Sequence, residues 1–122
     1  MSNIFFDACK NGDVAKLRSI LQKGEISNID IEDSDGVCGL LHASLENRKE
    51  IVHTLVNYNS NINRKLSRGE LKGVTALMAS VINKSVDVFK LLISYGHCDV
   101  DCRFTYSHTH SLTYFFEFLL LY

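Results

Sequence analysis

The only spacing in this chain that suggests a metal site is Cys98-x3-Cys102-x5-His108-x-His110, with His97 beside it. Zinc asks for four thiolate or imidazole ligands in a tetrahedron, and the Cys pair is spaced for that. The His-x-His half fits the usual structural zinc patterns poorly, so these histidines read as solvent-exposed side chains and no metal is expected. A thiol nucleophile and its base could be drawn from Cys9, Cys38 and His42, but nothing in their spacing selects them. The chain carries no phosphate loop, no dinucleotide fingerprint and no paired-carboxylate signature. Neither catalysis nor a cofactor is expected.

The whole-chain balance narrows the classes further. Thirteen Lys and Arg against fourteen Asp and Glu give a formal net charge of −1 in 122 residues. No global field pulls this chain toward nucleic acid or a membrane surface. No apolar run reaches the roughly 20 residues needed to cross a bilayer, and MSNIFFDACKNGD lacks the basic-then-apolar pattern of a secretory signal. An intracellular, cytoplasmic protein with four reduced thiols is the expectation.

Candidate chemistry being so sparse, the informative feature is periodicity. Ala8 recurs as Ala43, Gly12 as Asn47 and Leu17 as Val52, each at an offset of 35 residues. Gly36 recurs as Gly73 after 37, and the apolar set Ile51, Val52, Leu55 and Val56 returns as Val88, Phe89, Leu92 and Ile93. The i, i+3, i+4 spacing of these sets places each on one helical face. Gly24, Asn59 and Gly96 follow the second helix of each unit, and Gly12, Asn47 and Lys84 lie between its two helices. Gly and Asn tolerate φ > 0, as such chain reversals demand. Lysine there costs roughly 1 kcal/mol. Asp13 and Thr75 are suited to cap helices, whereas Cys38 is a feeble acceptor.

The stretch DGVCGLLHASLENRKEIVHTLVNYNSNIN, Asp35–Asn63, resembles one complete ankyrin repeat. Asp35-Gly36 supplies the hairpin tip, Leu40 and Ala43 the first helix, Ile51 to Val56 the second, and Asn61-Ile62-Asn63 the close. Thr75-Ala76-Leu77-Met78 stands where the family has Thr-Pro-Leu-His, although this chain has no proline. The resemblance implies an all-α solenoid of about three helix-turn-helix repeats with hairpin-like loops, near residues 3–33, 35–63 and 73–101, plus a short C-terminal helix. Repeats of this size bury an apolar face only by stacking. Domain limits of 1–102 follow, with 103–122 as a tail that forms a truncated fourth repeat or a cap. About four extra residues fall in Arg64–Lys72, in a hairpin, where length is cheap. Leu41 and Met78 replace the family histidine, so the tie it makes between hairpin and helix is expected to be lost in both repeats. A marginal solenoid should result.

The resemblance also implies function: recognition of a protein partner through the concave surface of hairpin tips and inner-helix flanks. A small inhibitor of an enzyme such as a kinase is the alternative, and a zinc protein built on 97–110 ranks third. A monomer is expected unless the apolar tail drives association. Leu45 and Ile82 are aliphatic at positions where the pattern varies, beside Glu46 and Asn83, and Val37 and Val74 sit at the hairpin tips. These form a candidate apolar strip. Its rim would be acidic in the first finger, with Asp33 and Asp35, and basic in the second, with Arg68 and Lys72.

Overall fold

The computed structural model describes residues 2–69 and 71–95. The C-terminal tail, Gly96, and the Cys/His cluster of 97–110 lie outside the described residues. Within them the chain forms helices α1 (Ser2–Asn11), α2 (Val14–Gln22), α3 (Gly39–Leu45), α4 (Lys49–Asn57), α5 (Ala76–Ile82) and α6 (Val86–Ser94). They pair as three helix-turn-helix units, α1 with α2, α3 with α4 and α5 with α6. The inner helices α1, α3 and α5 stack side by side, and the outer helices α2, α4 and α6 form the second layer.

The turns use left-handed residues that glycine and asparagine suit and Lys84 adopts at a cost. Gly12, Asn47 and Lys84 sit at φ of 76°, 56° and 54°, and Gly24 and Asn59 at 66° and 69°. The left-handed residue lets the next amide reach back across the helix end: Asp13 N donates to Ala8 O at 3.0 Å, Arg48 N to Ala43 O at 2.8 Å, and Ser85 N to Ser80 O at 2.7 Å. Otherwise orphaned carbonyls are thereby satisfied. At the starts, the Asp13 carboxylate accepts from Lys16 N at 3.1 Å and the Thr75 hydroxyl from Met78 N at 3.3 Å. Cys38 makes no side-chain cap.

The core runs along the stack. Phe5, Leu40 and Leu77 from the inner helices are buried against Leu17, Ile51, Val52, Leu55, Val88 and Leu92 from the outer ones. Ala8, Ala43 and Ser80 keep the helices close because they are small. The Ser44, Thr54 and Ser80 hydroxyls donate to carbonyls of their own helices. Among the described residues no buried side-chain nitrogen or oxygen lacks a partner.

The helix start at Gly39 has a reason that periodicity does not reveal. A Cβ built there would lie 2.9 Å from Cε2 and Cζ of Phe5 and 3.0 Å from the Cys9 sulfur. Helices α1 and α3 therefore approach through a glycine, where the family's proline would carry a clashing Cβ.

Candidate protein-binding surface

The first finger is the hairpin ahead of α3, closed by Asp33 N to Val37 O at 3.0 Å and Gly36 N to Asp33 O at 3.0 Å. The Asp33 carboxylate organises it from inside, accepting from Asp35 N at 2.9 Å and Val37 N at 3.0 Å. It also faces His42 Nε2 at 2.7 Å. A carboxylate only accepts, so the imidazole carries its proton on Nε2. The expected loss of the hairpin-to-helix tie is thus corrected for the second repeat. Leu41 is buried, and His42, one residue further along α3, makes the bond instead.

His42 is 9% exposed and meets the ring of Phe6 edge-on at 5.6 Å. Burial disfavours its charged form and holds its pKa below the ordinary 6.5, although Asp33 pulls the other way. Asp33 is also partly desolvated, which alone would raise its pKa. The Val37 and Asp35 amides and His42 outweigh that and hold the carboxyl below its ordinary 3.8.

The other acids of this finger are also turned inward on neighbouring groups. Asp30 accepts from the Ser60 hydroxyl at 2.8 Å and from Asn61 N at 3.1 Å. Glu32 accepts from Arg64 Nη2 at 2.9 Å and from the Ser67 hydroxyl. These bonds, the one to Ser67 foremost, hold the Glu32 carboxyl below its ordinary range. The two fingers meet closely. A Cβ on Gly36, at φ 79°, would fall 2.7 Å from Ser67 Oγ and 3.2 Å from Arg68 N.

The second finger is longer and well closed. Leu66 N donates to Val74 O and Gly73 N to Leu66 O, each at 2.8 Å, and Lys72 N donates to Gly69 O at 3.2 Å. Half-buried Leu66 packs on the core. Val74 is only 2% exposed. It therefore drops out of the apolar strip expected from sequence: it is buried where its carbonyl accepts from Leu66 N across the folded-back loop. Val37 is half-buried and packed against the core.

On the inner helices, Leu45 and Ile82 end α3 and α5 at equivalent positions, both half-buried, with Glu46 and Asn83 exposed beside them. The Asn83 amide donates to Leu45 O at 2.8 Å, so this side chain links neighbouring repeats. Arg48 Nε does the equivalent job one repeat earlier, donating to Lys10 O at 2.9 Å. On the outer layer His53 stacks on Tyr95, its Nδ1 3.0 Å from the phenol oxygen.

The strip is thus reduced to Leu45 and Ile82. Asp33 and Asn83 are committed internally, and Asp35, Glu46, Arg68 and Lys72 are exposed. The roles of Glu32, Ser67, Arg48 and Asn83 were not read from sequence. The one available signal was the insertion itself, which places Ser67 and Arg68 opposite the earlier tip.

The nucleophile drawn from Cys9, Cys38 and His42 is not assembled. Both cysteines are free and buried. Burial pushes the Cys9 thiol up to about 12 and raises Cys38 as well, whereas nucleophilic chemistry needs a thiolate. The His42 nitrogen near a partner faces Asp33. Among the described residues no group of three His, Cys, Asp or Glu is placed to hold a metal ion. None of their helices is long and apolar enough to cross a membrane.

Comparison with known proteins agrees with this geometry. No curated protein matches the chain. A solved structure that matches is the Bd0816 predatory endopeptidase from Bdellovibrio bacteriovorus in complex with immunity protein Bd3460. The match has 30% identity and a TM-score of 0.70, and covers 80% of this chain and 48% of that one. This chain thus spans about half the length of its structural relative. The family model for ankyrin repeats, in three copies, matches residues 5–104. With three stacked helix pairs, left-handed reversals in register and hairpins projecting ahead of the inner helices, the chain belongs to the ankyrin repeat family.

Proposed function

We propose that this chain is a non-catalytic module that captures a partner protein on the surface formed by its two fingers and inner helices. The observation that carries this is the pair Leu45 and Ile82. They occupy equivalent positions in adjacent helices, each half out of the core, with charged and polar groups around them. A small apolar centre with a charged rim is the anatomy of a protein interface. The bond from Asn83 to Leu45 O ties these two helix ends together, as the bond from Arg48 to Lys10 O ties the second repeat to the end of α1, so little ordering is left to the moment of binding.

The test is capture from solution followed by mass spectrometry, using the native chain, Leu45→Ala and Ile82→Ala. Capture lost with an unchanged melting temperature supports the surface. Lost stability with unchanged capture assigns both side chains to the core and removes the site. A second reading, an inhibitor that occludes an enzyme, draws support from the solved complex of an endopeptidase with an immunity protein. An identified partner that is an enzyme, and whose turnover falls on binding, would favour it.

A further inference from the structure

We infer that the inserted hairpin between α4 and α5 is a preformed docking element for an acidic segment of the partner protein, with Lys65, Arg68 and Lys72 supplying the recognition. This rests on the protein-binding reading above and narrows it to one chemistry. Read from composition, the edge of the fingers carries both signs. Folded, it does not present both equally. Asp30, Glu32 and Asp33 spend their oxygens on Ser60, Asn61, Arg64, Ser67, His42 and the backbone amides of the first hairpin.

A carboxylate already accepting two or three bonds from its own fold has less to offer a partner's cation. The cations are disposed the other way. Of the basic residues in this loop, only Arg64 is drawn into an ion pair among the described residues. Lys65, Arg68 and Lys72 are exposed. Arg68 is near enough to Glu32 to help hold its proton off, but Arg64 and Ser67 already occupy that carboxylate. Asp35 is the exposed acid of the neighbouring finger. Glu70, the one acid within the inserted loop, lies outside the described residues.

The cations also stand on a rigid base. The backbone bonds at Leu66, Gly73 and Lys72 close the loop, Leu66 and Val74 anchor it, and Gly36 seats the first fingertip against Ser67 and Arg68. Charges held in place before contact lose less freedom on binding than charges on a loose loop. Phosphate backbones present negative charge too, but the character of this loop favours a peptide. The chain's net charge is −1, the loop 64–74 has no aromatic side chain on which a base could stack, and Asp35 stands beside it.

The test uses the full chain against a random peptide library displayed on phage, with single-stranded poly(U) RNA as a second probe. A triple variant, Lys65→Ser, Arg68→Ser and Lys72→Ser, is run in parallel. These side chains are exposed, so its melting curve should match the native one. The expected result is enrichment of peptides rich in Asp and Glu, with synthetic copies binding the variant at least about tenfold more weakly and losing affinity as salt rises. Selected peptides that are not acidic, or that bind the variant equally, overturn this inference while leaving the chain a protein-binding module. RNA bound more tightly than the selected peptides, and released by the triple substitution, overturns it in favour of a nucleic-acid surface. No peptide selected at all also overturns this inference, and the protein-binding reading then stands or falls on the capture experiment above.

Discussion

Replacing Gly39 with alanine tests whether the α1–α3 approach sets the stability of the stack. Local physics favours the change only weakly, since the roughly 0.5–1 kcal/mol by which alanine surpasses glycine belongs to helix interiors and Gly39 is the first residue of α3. Packing opposes it. The new methyl would sit 2.9 Å from two carbons of the Phe5 ring and 3.0 Å from the Cys9 sulfur. All of these atoms belong to fully buried side chains, which cannot swing into solvent. Extra volume in a filled core costs about 1–3 kcal/mol, so the expected net loss is about 1–2 kcal/mol. For a domain of this size that is a fall in melting temperature of roughly 4–10 °C. Urea unfolding followed by circular dichroism would show the same loss as a lower midpoint at an unchanged slope. Phe5→Leu alone should destabilise, but combined with Gly39→Ala it should cost about 1 kcal/mol less than the sum, because the shorter side chain relieves the collision. A midpoint that stays level or rises in Gly39→Ala would show that the helices can part at no cost and would refute this account.

Protonation of His42 should weaken the fold. Its folded pKa lies below the ordinary 6.5, so the unfolded chain takes up a proton that the folded chain refuses. Stability contributed by the neutral imidazole is full above about pH 7 and declines as pH falls through 6.5 toward the folded value. Asp33, with its own pKa lowered from 3.8, adds a second loss at more acid pH. Melting measured from pH 7.5 to 5 should fall less in His42→Asn than in the native chain; parallel slopes would remove His42 as the cause. Lys84→Asn should raise the unfolding free energy by about 0.5–1 kcal/mol, because φ 54° strains lysine and suits asparagine; denaturant midpoints decide it, and no gain means the strain is absent. Cys9 and Cys38 should resist a water-soluble thiol reagent at pH 8 in the native chain and react once urea unfolds it, as read by mass spectrometry of their peptides. Rapid native labelling of either would contradict its burial.

What was legible in advance was whatever repeats. Offsets of 35 and 37 residues placed the helices, and among the described residues the places reserved for a left-handed residue were correct even at Lys84, where the residue type argues against the conformation. Val74 was misjudged because hairpin periodicity gives no side-chain direction. The inserted loop returns to pair Leu66 with Val74, and that pairing decides which way the valine faces. The merit of Gly39 at the start of α3 could not be read in advance, because it lies in Phe5, more than thirty residues upstream, and only the packed structure brings the two together.

The ties between repeats show why matching residues by position is an incomplete guide to function. Lys10 O and Leu45 O are equivalent carbonyls, and the next repeat caps each, but Arg48 does so for one and Asn83 for the other. These capping residues are not equivalent in the repeat. Likewise His42 ties hairpin to helix from one position beyond the family histidine. The stack preserves the bond that must be made, while the side chain that makes it drifts, because several side chains can reach a given carbonyl or carboxylate. It follows that a polar residue at a family contact position is a good partner-binding candidate only if the fold has not already used it. By that criterion Asp33 is used within the fold and Asn83 has one amide hydrogen committed to Leu45 O, whereas Glu46, Arg68 and Lys72 are exposed.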